Sequence, residues 1–202
     1  MGIIKVVIGS WGSYNECNER ALGSKWLDLS DYNDWEEIEA ELKEQGFKLD
    51  GIDEELFIQD IEGIYDKSIN WDYMHPKELF ETLKESGVLD NDYKYEELTA
   101  YLEIRCWSDF KELVDKDGEY WDSDIHYYKG YDWEDYGREM FECYGYKIPE
   151  PLENFIDFEG YGKYMGDCYA QECENGIIEI WPKRSDYEIT RIKKVSWLRI
   201  WV

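Results

Sequence analysis

The sequence predicts an α+β protein: an elongated chain of three small domains with a highly acidic surface, a C-terminal β-hairpin and an extra basic C-terminal strand. Three observations lead there. Strand-like and helix-like stretches alternate in short pieces, each bounded by its own cap or glycine. No long linker separates the pieces, and none holds much apolar bulk of its own. Finally, 48 Asp and Glu stand against 22 Lys and Arg, a formal net charge of −26. Self-repulsion on that scale disfavours compact states.

The first domain is expected over residues 1–68. "IIKVVIGSW" and "KWLDLS" read as strands. Residues 34–45 then read as a helix, with Trp35, Ile38 and Leu42 at i, i+3 and i+7 on one face. Asp34 can cap its start with Glu37 three residues on, and Gly46 can end it in a left-handed position. "ELFIQDIEG" supplies a third strand, completing a β-β-α-β unit. The helix raises a problem. Its polar surface holds Asp34, Glu36, Glu37, Glu39, Glu41 and Glu44 against the single cation Lys43. Glu37 and Glu41 are like charges at i, i+4, and Glu44 opposes the dipole in the last turn.

A mainly helical middle domain is expected over 69–124. "PKELFETLKESG" opens on Pro76 and closes on Gly87, "YKYEELTAYLEI" and "SDFKELVDKDG" follow, and "DKDGEYWDSD" reads as a loop. The third domain covers 125–181. "DWEDYGREMFECYGY" repeats the first pattern, with Asp132 as cap, Trp133, Tyr136 and Met140 on one stripe, and Gly145 as terminator. "IPEPLENFIDFEGYGKYM" holds one or two short helices, and "DCYAQECENGIIEIWP" reads as a hairpin able to turn at Asn175-Gly176 in type I′ geometry.

Residues 182–202 reverse the charge: six Lys and Arg against two acids give +4, which leaves −30 on residues 1–181. Val195, Trp197, Arg199 and Trp201 alternate with Ser196, Leu198, Ile200 and Val202. Both faces of that strand are largely apolar, so it needs burial on both sides or a partner edge. The expectation is that residues 187–202 add a strand to the C-terminal unit, beside the 167–182 hairpin or across a dimer, with Lys183, Arg184, Arg191, Lys193 and Lys194 neutralising nearby acids.

Composition narrows the function. Acidic chains poor in aromatics are disordered, but 17% aromatics, with 10 Trp and 18 Tyr, give this one the means to fold. No apolar run approaches a membrane span, and the N-terminus lacks a signal-peptide pattern. Five cysteines, odd in number and without a CxxC pair, read as reduced thiols of a cytoplasmic protein. No metal or other cofactor is expected. Of the two histidines, His75 precedes a helix-opening proline and reads as a cap, while His126 sits among tyrosines and reads as packing. No catalytic triad order, P-loop or dinucleotide fingerprint is present, so the chain does not read as an enzyme. "DKDGEYWDSD" places its glycine fourth and no Glu twelfth, which is not a calcium loop. A carbohydrate-active enzyme with paired carboxylates is an alternative that only the composition supports.

The charge itself offers a better reading. A twelve-residue helix is about 18 Å long, and residues 34–45 carry a net −5 over that length. One DNA strand carries about the same, at one charge per roughly 3.4 Å. Spread at duplex density, the −30 of residues 1–181 would cover about 50 Å.

The order of motifs supports this. "SYNECNERALGSKWLDL", "ELFIQDIEGI" and "IPEPLENFIDFEGYGKYM" followed by "NGIIEI" resemble, in that order, the ArdA family of antirestriction proteins. The matching positions are Tyr14, Asn15, Leu22, Gly23 and Trp26, then Ile58, Asp60, Glu62 and Gly63, then Ile148, Pro149, Ile156, Asp157, Glu159, Tyr161 and Gly162. The middle of the chain departs from the family pattern, and the basic extension runs about twenty residues past the family's usual end. The resemblance implies a DNA mimic: a curved rod of three domains that dimerises through its C-terminal domain. Such a rod occupies the DNA-binding groove of type I restriction–modification enzymes, formed by methyltransferase and specificity subunits. It binds no nucleic acid itself and touches no membrane. Another DNA-binding or defence complex, such as a CRISPR effector, is the alternative target.

On this reading the phosphate-mimicking residues are Asp31, Asp34, Glu36, Glu37, Glu39, Glu41, Glu44, Asp53, Glu54, Asp60 and Glu62 in the first domain. Asp115, Asp117, Glu119, Asp122 and Asp124 follow in the second, and Asp132, Glu134 and Asp135 in the third. Phe155, Phe158, Tyr161 and Tyr164 are the expected dimer interface. The repulsion on the 34–45 helix is then relieved on binding, when a target's cations replace counterions.

Overall fold

A computed structural model describes residues 3–66, 69–147 and 149–181. The basic extension from residue 182 onward, with its expected strand, lies outside the described residues. Among the described residues the fold is mixed α+β with two small three-stranded sheets. The chain divides into two compact units, Met1–Trp121 and Asp122–Val202.

The first unit opens on β1 (Lys5–Ser10), the central strand of a sheet ordered β2-β1-β3. Everything in β1 after Lys5 is buried, as a central strand requires. A short helix, α1 (Trp11–Glu16), follows at once: the Ser10 hydroxyl accepts from Ser13 N–H and ends the strand before Trp11. The expected second strand shrinks to β2 (Leu27–Asp28), because the Asp28 carboxylate caps a 3-10 turn over Leu29–Asp31. The helix α2 (Trp35–Glu44) buries Trp35, Ile38 and Leu42 as expected. Gly46 N–H reaches the Lys43 carbonyl and Phe47 N–H the Leu42 carbonyl, the paired bonds of a Schellman ending. Strand β3 (Leu56–Glu62) then pairs antiparallel with β1 across a bulge at Val7/Ile8.

The rest of this unit is helical: α3 (Pro76–Glu85), α4 (Asp92–Ile104) and α5 (Trp107–Asp117). Asp115, Lys116 and Asp117 complete the last turn of α5, so the expected loop begins only at Gly118, whose φ of 57° stops the helix. Trp107, Phe110 and Trp121 interlock, Phe110 meeting Trp107 at 5.1 Å and Trp121 edge-on at 4.9 Å. Trp35 ties α2 to this part, lying 5.9 Å from His75 and 6.4 Å from Phe80.

The second unit begins with β4 (Ile125–Lys129), a strand the sequence reading lacked, followed by α6 (Trp133–Cys143), α7 (Glu150–Glu153), α8 (Phe158–Gly166), β5 (Ala170–Cys173) and β6 (Gly176–Ile180). The sheet order is β4-β6-β5, all antiparallel. The hairpin is where it was expected, but its turn is not. Cys173 pairs with Gly176, so Glu174 and Asn175 form the loop. Neither has positive φ, which type I′ geometry requires. Gly176 serves the ladder instead: a Cβ there would sit 2.3 Å from the Tyr128 carbonyl of β4. Helices α6 and α8 cross at two further glycines. A Cβ on Gly137 would meet the Phe158 carbonyl at 2.0 Å, and one on Gly162 the Trp133 carbonyl at 2.3 Å.

Candidate functional site

The acidic face of α2 is built by hydrogen bonds that hold its carboxylates in place. Asp34 accepts from Glu37 N–H at 3.0 Å, and Glu37 reaches back to Asn33 N–H at 2.7 Å. Glu39 accepts from the Trp35 indole at 2.8 Å and lies 3.5 Å from Lys43. Glu41 accepts from the Gln45 amide at 2.7 Å. Glu36, Glu37 and Glu44 are exposed, with Glu39 and Glu41 half-buried. The like charges are thus spaced by neutral donors, which lowers the repulsion the sequence implied.

Elsewhere in the first unit Asp31, Glu54, Asp60, Glu62, Asp115 and Glu119 are exposed, and Asp117 is half-buried beside Lys116 at 2.9 Å. Asp53 does not belong with them. It is 1% exposed, accepting from the Ser13 hydroxyl and from Lys48 N–H at 2.7 Å. Burial pushes its carboxyl up, but the hydrogen bonds from Lys48, Ser13 and Ser10 outweigh that and hold it below its ordinary value. Asp53 staples the loop before β3 to α1 and offers nothing to a partner.

In the second unit Asp124, Asp132, Glu134 and Asp135 are exposed and Asp122 is half-buried. Asp132 caps α6, accepting from Glu134 and Asp135 N–H at 2.9 Å each. Glu134 is paired with Arg138 at 2.9 Å, and Arg138 also holds Glu153 at 2.8 Å. Of the expected interface residues, Phe158 is 4% exposed and belongs to this unit's own interior, in edge contact with Phe141. Phe155 is 83% exposed and Tyr164 is exposed too, while Tyr161 is half-buried. Tyr144 and Tyr146 stack on each other at 6.4 Å, and Phe141 links Tyr146 at 5.0 Å to Tyr161 at 5.5 Å.

Two groups of acids were not picked out from sequence. Glu78, Glu81 and Glu85 line one groove on α3 together with Asp115, Lys77 and Lys111, and Lys111 pairs with Glu78. Their i, i+3, i+7 spacing is a legible signal. Asp66 and Glu179 are buried for structural ends. Asp66 accepts from Trp107 N–H at 2.6 Å, and Glu179 accepts from the Tyr136 hydroxyl and from the Trp181 indole at 3.1 Å. Burial first, then the Glu179 bond and charge, push the Tyr136 hydroxyl well above its usual range.

His75 caps α3, its Nδ1 accepting from Lys77 N–H at 3.1 Å, and His126 packs on Tyr128 at 4.5 Å. Among the described residues no cluster of His, Cys, Asp and Glu could hold a metal, none of the five cysteines is in a disulfide, and no helix is long and apolar enough to cross a membrane.

Fold and site together describe an acidic α+β protein that carries exposed carboxylates on a helix face, on a strand and at helix ends. A family model described as antirestriction protein (ArdA) matches residues 6–179, and the chain belongs to that family. Its members are inhibitors rather than enzymes. No curated protein matches the chain.

Proposed function

We propose that this protein inhibits type I restriction–modification enzymes by presenting carboxylates where their methyltransferase and specificity subunits bind DNA phosphates. The observation that carries this reading is α2, where Glu36, Glu37 and Glu44 are exposed and Glu37, Glu39 and Glu41 are held by hydrogen bonds. Fixed acids lose little side-chain freedom when cations arrive. Asp31, Asp34, Glu54, Asp60, Glu62, Asp115, Asp117 and Glu119 extend the array in the first unit, and Asp122, Asp124, Asp132, Glu134 and Asp135 in the second. The working form comprises three small domains (1–68, 69–124 and 125–181) and acts in the host cytoplasm.

Competition tests the proposal. The protein should displace labelled duplex DNA from a purified type I methyltransferase, and its affinity should fall steeply with salt, because each replaced phosphate contact brings counterion exchange. Failure to displace DNA at low salt overturns the type I target. Displacement from a CRISPR effector instead would keep mimicry and change the victim.

A homodimer would double the charged length. Phe155, Tyr161 and Tyr164, joined by Tyr144 and Tyr146, offer the apolar surface for it. Light scattering at micromolar concentration should give twice the 24.3 kDa chain mass. A purely monomeric protein would rule the dimer out.

A further inference from the structure

The turn between α1 and β2 carries Leu22, which at 85% exposure is more open than any other large apolar side chain among the described residues. One exposed leucine on a slack loop needs no explanation. This turn is not slack. Before Leu22, Arg20 N–H donates to the Asn18 side chain at 2.8 Å, and the Arg20 guanidinium donates to the Gln45 carbonyl at the end of α2. After it, Gly23 N–H donates to the Arg20 carbonyl at 2.9 Å, and Ser24 exchanges two bonds with Ile8 of β1. The Ser24 N–H donates to the Ile8 carbonyl at 2.8 Å, and its hydroxyl accepts from Ile8 N–H at 3.0 Å. Lys25 N–H then donates to the Gln45 side chain at 2.8 Å. Gly23 has a φ of 79°, and a Cβ there would lie 2.7 Å from Val7 Cγ1 and 3.1 Å from the Ile8 carbonyl oxygen. Ties to α2 and to the sheet therefore flank Leu22 and hold it out in water.

We propose that Leu22 is an apolar anchor for a socket on the protein partner, at the edge of the basic track that receives the α2 carboxylates. The inference rests on the inhibitor reading above and adds to it a source of selectivity. A groove of about 480 Å³ beside Leu22 is lined by Arg20 and Lys25 from the turn and by Glu41 and Glu44 from α2. Glu41 and Glu44 thus belong both to this groove and to the acidic helix, so a protein that reaches one reaches the other. Two cations balance two acids here, in a chain of net charge −26. A phosphate-like surface needs neither those cations nor the leucine. A protein contact uses both, as an apolar centre rimmed by polar and charged groups. Arg20 and Lys25 also repel a basic track, so it ends at α2 and the surface beyond it is of another kind. The fastened turn loses little freedom on binding. Carboxylates alone fit any protein that grips DNA, whereas a fixed leucine fits only a target with a matching socket.

Leu22→Glu separates the two kinds of contact by sign. On a purely phosphate-like surface an added carboxylate tightens binding, and in an apolar socket it loosens it. In DNA displacement from a purified type I methyltransferase, full-length Leu22→Glu and Leu22→Ala should each compete about tenfold more weakly than the unaltered protein. Both should keep its far-UV circular dichroism. Leu22→Ala should also keep its salt dependence, because no charge is lost. A folded Leu22→Ala or Leu22→Glu protein that competes as well as the unaltered one, or better, overturns the anchor and leaves the carboxylate reading standing. Failure of the unaltered protein to displace DNA overturns both. A Leu22→Glu change that halves the mass seen by light scattering assigns the leucine to a second copy and overturns the socket on the partner.

Discussion

Replacing Glu36, Glu37, Glu39, Glu41 and Glu44 together by Gln should weaken inhibition of a type I enzyme roughly 60-fold, and any one replacement only about two- to threefold. Exposed ion pairs contribute about 0.2–1 kcal/mol each. Five at roughly 0.5 kcal/mol sum to about 2.5, and about 1.4 kcal/mol corresponds to tenfold. Glutamine is the right probe because it keeps an acceptor oxygen for the Trp35 indole, the Gln45 amide and Asn33 N–H while removing the charge. The helix should survive and even gain stability, since the Glu37–Glu41 repulsion disappears. Competition titrations of the five single variants and the quintuple variant check this. One single variant that abolishes inhibition with its fold intact would refute a distributed array.

Gly162→Ala should destabilise the second unit by at least about 2 kcal/mol. A Cβ at this position would lie 2.3 Å from the Trp133 carbonyl and 3.0 Å from Gly137 N, backbone atoms that cannot rotate away. Either α8 moves off α6, loosening the packing around Tyr136 and Met140, or the first turn of α6 distorts at its Asp132 cap. Denaturant unfolding followed by the near-ultraviolet signal of the tyrosines measures the shift, with the exposed Glu159→Ala as control. A Gly162→Ala protein as stable as the control would mean that the two helices do not approach this closely.

Local signals made much of this fold legible. The Asp34 and Asp132 caps, the Gly46 and Gly145 stops and the stripes of α2 and α6 all depend on residues within one or two turns of each other. What escaped was set by distant partners. β4 carries Tyr127, Tyr128 and His126, which alternate poorly in sequence and become a strand through the Ile125–Ile180 to Lys129–Gly176 ladder. The Asn175-Gly176 pair has the composition of a type I′ turn, yet a strand far upstream needs that glycine against Tyr128. The candidate site divides the same way. Exposure of the α2 acids follows from helical phase, whereas the burial of Asp53 depends on Ser13 and Lys48, which no periodicity brings together. The resemblance and its aromatic character point Phe158 toward an interface, and only its burial and its contacts with Phe141 and Arg138 reveal that it faces inward.

The placement of β6 has a consequence for how the chain is made. In the second unit β4 and β5 do not bond each other; both bond only β6, the last of the three to be synthesised. While a ribosome is still making residues 176–180, no pair of adjacent strands exists among the three of that sheet. The first unit is arranged the opposite way, with its central strand β1 ahead of both its neighbours in the chain. It can gather β2 and then β3 around β1 as they emerge. One half of the protein can therefore begin assembling during translation, in keeping with the N-terminal-first order of multidomain chains. The other half must hold its aromatic helices without a sheet until Ile180 has left the exit tunnel.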